Sequence, residues 1–205
     1  MAEDQALGLR ERKKLDTRRA ISDATMQLAF ERGLENVTRD DIAARAGVSV
    51  RTFNNYFTGK FEALAYRNLD RIRRSLTMFR ERPAEEPLWT ALSEAILAPF
   101  EAEGIGAEPP SPTQLAVIRT IVDSPDAKGA LSKDLTDDWV AAIAERTGTD
   151  PDHDMFPHLV TGVLSAIMQS AALAYVRADP PVVITTLLRR GFEEVAAGLP
   201  DPSGR

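Results

Sequence analysis

The sequence predicts an all-α protein of about nine helices, with an N-terminal helix-turn-helix head on a larger helical body. Three observations carry this reading. Apolar residues recur at three- and four-residue spacing along most of the chain, and no run shows the strict alternation of a half-buried strand. Glycine and proline punctuate the ends of those runs. Charge is segregated: residues 1–82 hold 17 Lys/Arg and 12 Asp/Glu, a net of +5, while residues 83–205 hold 8 and 19, a net of −11. A basic part on an acidic remainder suits a chain of which one portion meets a polyanion and the other has a separate task.

The elements follow in order. Ile21, Ala24, Leu28 and Ala29 share one face of a helix that ends near Gly33, a suitable C-terminal cap. Short helices fit residues 39–45 and 50–56. A long helix runs from Thr58 to about Arg82, stopped by Pro83 and Pro87. Leu88 to Glu103 is helical, and residues 103–112 form a turn-rich loop with Pro109, Pro110 and Pro112. Further helices fit 113–123, about 126–147, about 155–177 and 182–198. With no Gly/Ser linker in sight, the predicted domains, 1–62 and 63–205, should be joined rigidly.

Composition bounds the chemistry. The chain has no cysteine, which excludes disulfides, thiolate metal sites and cysteine nucleophiles and fits a reducing, cytoplasmic setting. Its polar, charged N-terminus reads as no signal peptide. Leu159 to Val176 runs without a charge, but Thr161, Ser165, Gln169 and Ser170 interrupt it. It reads as a central helix and not a membrane span. GxSxG, P-loop and HExxH motifs are missing, and GIGAEP (104–109) lacks the last glycine of a dinucleotide loop. No enzyme and no cofactor are expected.

The informative stretch is Val37–Phe57. Thr38 is a good N-cap with Asp41 at the third helical position, near the positive end of the helix. Ile42, Ala43 and Ala46 supply a small apolar face, Gly47 permits a sharp turn, Val48 plugs the corner and Ser49 caps the next helix. Phe53 and Phe57 fall inward at i, i+4, leaving Val50, Arg51, Asn54 and Asn55 outward. A short helix with such a face fits the major groove, about 12 Å wide, where Arg pairs with guanine and Asn with adenine. Tyr56 and Lys60 are placed to hold phosphates, and Lys13, Lys14, Arg18 and Arg19 add electrostatic attraction.

Residues 17–64 resemble the N-terminal domain of TetR-family regulators. The family pattern is met by Thr38, Ile42-Ala43, Ala46-Gly47-Val48-Ser49, Thr52-Phe53, Tyr56-Phe57, Lys60 and Leu64. The resemblance implies that Thr38, Thr52, Tyr56 and Lys60 contact phosphates of operator DNA, and that Arg39, Val50, Arg51, Asn54 and Asn55 fall where bases are read. Asn54 departs from the Tyr that many members carry there, so the usual contact does not transfer. The resemblance further implies a homodimer through the last two helices and a small hydrophobic effector bound in the body. More loosely, residues 124–148 and the helix after Asp152 are similar to members with acyl-CoA-like ligands.

Trp89, Phe100, Trp139, Phe156 and Met168 read first as core residues, and Trp89, Phe100, Trp139 and Met168 are also the candidates to line a site for that effector. Gln114 and Arg119 follow the proline-rich loop and are candidates for a polar ligand group; a surface role for Arg119 reads as well. Thr161, Ser165 and Gln169 form a polar stripe that either faces a cavity or bonds to carbonyls one turn back. Beside it, Gly162, Ala166, Ser170 and Ala174 make a smooth ridge on which another helix can lie. The segment DPDHDMFPH (150–158) imitates a calcium loop, but Met155 replaces its glycine and Thr161 its last carboxylate, so capping aspartates are expected and no metal. The function expected is that of a ligand-responsive repressor. The alternatives are a helical carrier or enzyme, and an architectural DNA-binding protein without effector.

Overall fold

A computed structural model describes residues 2–105, 108–123 and 133–201. Among these there are nine α-helices: α1 (Ala2–Arg32), α2 (Arg39–Arg45), α3 (Val50–Tyr56), α4 (Lys60–Glu81), α5 (Leu88–Ala102), α6 (Pro112–Asp123), α7 (Lys133–Thr147), α8 (Met155–Arg177) and α9 (Ile184–Ala196). A 3₁₀ turn, Leu34–Asn36, links α1 to α2. No strand occurs among the described residues. The start of the helix expected from about 126, and residues 106 and 107 of the proline-rich loop, lie outside them.

The helices sort into two compact units: the described residues of Met1–Asp70 with Ser111–Ala130, and those of Arg71–Pro110 with Leu131–Arg205. Helix α4 supplies residues to both. The first unit is built on the apolar stripe of α1. Ile21, Ala24, Leu28 and Ala29 are buried against Ile42, Phe53, Phe57 and Leu64 in one cluster. Each large side chain removed from water in this way contributes roughly 1.5–3 kcal/mol before entropy is charged against it. Within the same unit, the Ser22 hydroxyl donates to the carbonyl of Ala63 at 2.6 Å, which fixes the register of α1 on the start of α4.

Two features differ from the sequence reading. The first unit runs past residue 62 because Ala63, Leu64 and Tyr66 on α4 are buried in its core. It also recruits α6, which the sequence assigns to the body: Val117 is buried in the same cluster and Ile121 packs on it. The periodicity of α6 shows that it has an apolar face but not which neighbour covers that face.

In the second unit α8 packs on α7 and α9, and α9 also packs on α5. Leu92, Ile96, Leu97, Trp139, Ile143, Leu188 and Phe192 are all essentially inaccessible. The Phe79 and Trp139 rings lie 5.6 Å apart. A Cβ on Gly191 would sit 2.9 Å from Cγ2 of Ile167, so α9 crosses α8 at a point where only glycine fits without adjustment. Helix α8 is long and apolar enough to cross a membrane by length and composition alone. It is two-sided here: Val160, Leu164, Ile167 and Ala171 are buried, whereas Leu159, Gly162, Ala166, Ser170, Leu173 and Ala174 are exposed.

Candidate nucleic-acid interface

The helix-turn-helix is assembled by its caps. Thr38 Oγ1 accepts from the Asp41 amide at 3.2 Å, and Asp41 Oδ2 accepts from the Thr38 amide at 3.0 Å and from its hydroxyl at 2.6 Å. This reciprocal box satisfies donors that the first turn of α2 leaves open. The hydrogen bonds from Thr38, with Arg32 nearby, hold the Asp41 carboxyl below its ordinary pKa. Gly47 then takes φ +67°, a left-handed conformation that costs other residues roughly 1–2 kcal/mol. Ser49 caps α3 by accepting from the Thr52 amide at 3.0 Å. Phe53 and Phe57 are buried, with ring centroids 6.2 Å apart. Their burial sets the rotation of α3 and leaves Arg51, Asn54 and Asn55 exposed, with Val50 and Thr52 half-buried beside them.

Several predicted contact residues are already tied to the protein. Arg39 donates to Asn54 Oδ1 at 3.2 Å and to the Thr58 carbonyl at 2.6 Å, bridging the start of α2 to α3 and the segment after it. Lys60 donates to the carbonyls of Leu34 and Val37 at 2.6 and 3.1 Å, so two of its three protons close the link before α2. Arg18 lies over the rings of Phe57 and Tyr66, 5.5 and 5.2 Å from their centroids, and reaches the Tyr56 carbonyl at 3.4 Å. Arg19 grips buried Asp70 through both carboxylate oxygens at 2.9 and 3.0 Å. Sequence reasoning missed these structural uses of Arg18 and Arg19, since a basic run gives no sign of which cations have acids or rings waiting across the fold. Lys13 and Lys14 are exposed, as are Arg10 and Arg12.

The candidate effector residues fall in both units. Gln114 and Arg119 belong to the first unit, and the others to the second. The Gln114 side chain accepts from the Ser111 amide at 2.8 Å, capping α6 together with the Ser111 hydroxyl; Arg119 is exposed. Phe100 and Trp139 are buried core residues, Trp89 and Met168 are half-buried, and Phe156, expected in the core, is exposed. Thr161 and Ser165 both donate to carbonyls four residues back, at 2.9 and 3.0 Å, as the second of the two readings of that stripe expects. Gln169 is exposed. An open groove of about 380 Å³ lies in the first unit between Leu34 and α6, lined by Pro112, Ala116 and Val117. The Asp150–His158 segment forms a turn: Asp154 Oδ2 accepts from the Asp150 amide at 2.7 Å and α8 begins at Met155. No group of three or more metal-ligating side chains occurs among the described residues.

A capped helix-turn-helix with a polar, exposed second helix, carried with a second helical unit, defines a DNA-binding transcription regulator. The comparisons make this specific. The family model for bacterial regulatory proteins of the tetR family matches residues 21–65, and that for the MftR C-terminal domain matches residues 86–200, more than half of the chain. The chain belongs to the TetR family of transcriptional regulators, which are not enzymes. It is 28% identical over 183 residues to the HTH-type transcriptional regulator TcmR of Streptomyces glaucescens, covering 84% of this chain and 79% of that protein. Among solved structures it is similar to FadR of Thermus thermophilus, a TetR-family repressor crystallised with lauroyl-CoA. That likeness has TM-score 0.56 at 20% identity, over 90% of this chain and 95% of the other. It is also similar to the fatty acid degradation regulator FadR of Bacillus halodurans, with TM-score 0.55 at 16% identity over 89% and 96%.

Proposed function

We propose that the protein is a homodimeric repressor that leaves a palindromic operator when a small hydrophobic ligand, in the class of acyl thioesters, binds its second unit. The observation that carries the DNA-reading half is the orientation of α3. Two buried phenylalanines lock it so that Arg51, Asn54 and Asn55 stand in solvent, the residue types that pair with guanine and adenine edges. Support for dimerisation comes from the unpartnered side of α8. Leu159, Gly162, Ala166, Ser170 and Leu173 form an exposed stripe of apolar and small residues, suited to close packing against a second copy. The effector class rests on the fold shared with a regulator bound to lauroyl-CoA.

Selection of duplexes from a random pool tests the first half. Arg51→Ala is expected to relax the preference at one position per half-site, at about 1–3 kcal/mol; an unchanged preference overturns the assignment of α3. Calorimetry of lauroyl-CoA with and without the selected duplex tests the second. A tenfold weakening in the presence of DNA corresponds to ~1.4 kcal/mol of coupling, and equal affinities reject control by that ligand.

A further inference from the structure

We propose that the first turns of α1, ahead of the packed part of the first unit, are a second DNA-binding element: a basic helical arm that holds phosphates flanking the duplex read by α3. The inference rests on the DNA-reading assignment above and adds a partner surface to it. Helix α1 begins at Ala2, yet none of the residues from Gly8 to Ala20 is buried. The family match starts at residue 21, where burial starts. The stretch from Leu9 to Asp16 is exposed throughout and gains little from tertiary packing, without which a helix is marginal in water, so its chemistry has to explain it.

That chemistry is directional. Residues four apart lie on one face of a helix. The face that is buried at Ser22, Thr25 and Ala29 continues towards the N-terminus through Arg18, Lys14 and Arg10. Where the stripe leaves the core it changes from apolar to cationic. Arg18 marks the changeover: its guanidinium rests on Phe57 and Tyr66 and meets the Tyr56 carbonyl, the last residue of α3. The stripe therefore points to the side of α1 on which the reading helix ends. Lys14 lies one helical turn and Arg10 two turns beyond Arg18, about 6 and 12 Å along the axis. Twelve ångströms is about four base pairs at ~3.4 Å each. Lys13 sits on the edge of the same face, three residues from Arg10. The acids between Gly8 and Ala20 are Glu11, paired with Lys14 at 3.8 Å, and Asp16, and Glu3 and Asp4 lie ahead of them in the chain. Like charges at i, i+3 and i, i+4 repel one another in the free helix, and a row of phosphates removes that repulsion.

The test uses the full chain and the variant Arg10→Gln/Lys13→Gln/Lys14→Gln, in which exposed side chains are replaced by another good helix former. Each protein is titrated with the duplex enriched from a random pool, at full length and trimmed by five base pairs at each end, over a range of salt. On the long duplex the variant is expected to lose about 2–3 units of the logarithmic salt slope per protein chain. On the trimmed duplex the two proteins should agree within one unit. A variant that keeps the wild-type slope on the long duplex overturns the arm. So does an equal loss on both duplexes, which places the cations on the core site. A wild-type chain that binds neither duplex overturns the DNA-reading assignment itself, and the arm with it.

Discussion

Arg39 and Asn54, fifteen residues apart on α2 and α3, are joined by a hydrogen bond of 3.2 Å from the guanidinium to the amide oxygen. Bidentate reading of adenine uses both ends of an asparagine amide: the oxygen accepts and the nitrogen donates. In the free protein Arg39 already occupies the oxygen. The two residues thus act as a pair, and Arg39→Ala and Asn54→Ala should be non-additive in operator binding. A double-mutant cycle on the selected duplex is expected to give a coupling of about 0.5 kcal/mol or more. Additivity within ~0.3 kcal/mol would show that the bond has no part in recognition.

Lys60 is expected to act first on stability. Its ammonium donates to the carbonyls of Leu34, the first residue of the 3₁₀ turn, and Val37, the residue after it, and replacing it by alanine leaves those acceptors to water. The site is half-exposed, so the cost should be near the ordinary net value for a hydrogen bond, about 1 kcal/mol. Thermal unfolding of Lys60→Ala should show a lower Tm, and its affinity for all duplexes should fall by one common factor. An unchanged Tm would return the residue to a purely phosphate-binding role.

Gly191→Ala should destabilise the second unit. The added methyl meets Cγ2 of Ile167 at 2.9 Å, and that atom hangs on a β-branched side chain with little freedom to withdraw. Overpacking of this kind costs about 1–3 kcal/mol. In an Ile167→Ala background, where the obstacle is gone, the same glycine substitution should cost less in urea unfolding than it does in the wild type; an equal cost in both backgrounds would contradict the steric account.

Acid should weaken the helix-turn-helix through Asp41. Its carboxyl titrates below the ordinary aspartate value because Thr38 donates to it through hydroxyl and amide. A depressed folded pKa means that the contribution is complete above the unfolded value, about 3.9, and is lost as pH falls through the lower folded one. Asp41→Asn cannot lose a charge there. The difference in Tm between wild type and variant should therefore shrink as pH drops below about 4, and a constant difference would rule this linkage out.

Much of this architecture is legible in the chain because local rules decide it. Thr38, Gly47 and Ser49 announce a cap, a left-handed turn and a second cap, and the i, i+4 phenylalanines announce which way α3 faces. What the sequence hides depends on partners distant in the chain. Arg18 and Arg19 look like Lys13 and Lys14 until Phe57, Tyr66 and Asp70 are brought up to them. Helix α6 displays an apolar face whose natural neighbour by chain order is the body, yet Val117 and Ile121 complete the core built on α1. The polar stripe of α8 had two physically sound readings, and the backbone carbonyls claim Thr161 and Ser165. Trp139 and Phe100 are apolar enough to line a cavity or to fill a core, and only packing separates those outcomes.

The distribution of aromatic residues gives the two units different optical signatures. Both tryptophans, Trp89 and Trp139, fall in the second unit, the latter only 1% exposed and tilted against Phe79. The first unit has none; its chromophores are Tyr56 and Tyr66. Emission excited selectively at the red edge of indole absorption therefore follows the second unit alone. Far-ultraviolet circular dichroism weighs every helix. A melt recorded by both probes separates one cooperative transition from two, without label, tag or substitution. Because the chain has no cysteine, a single thiol placed on α3 adds a reporter confined to the reading helix.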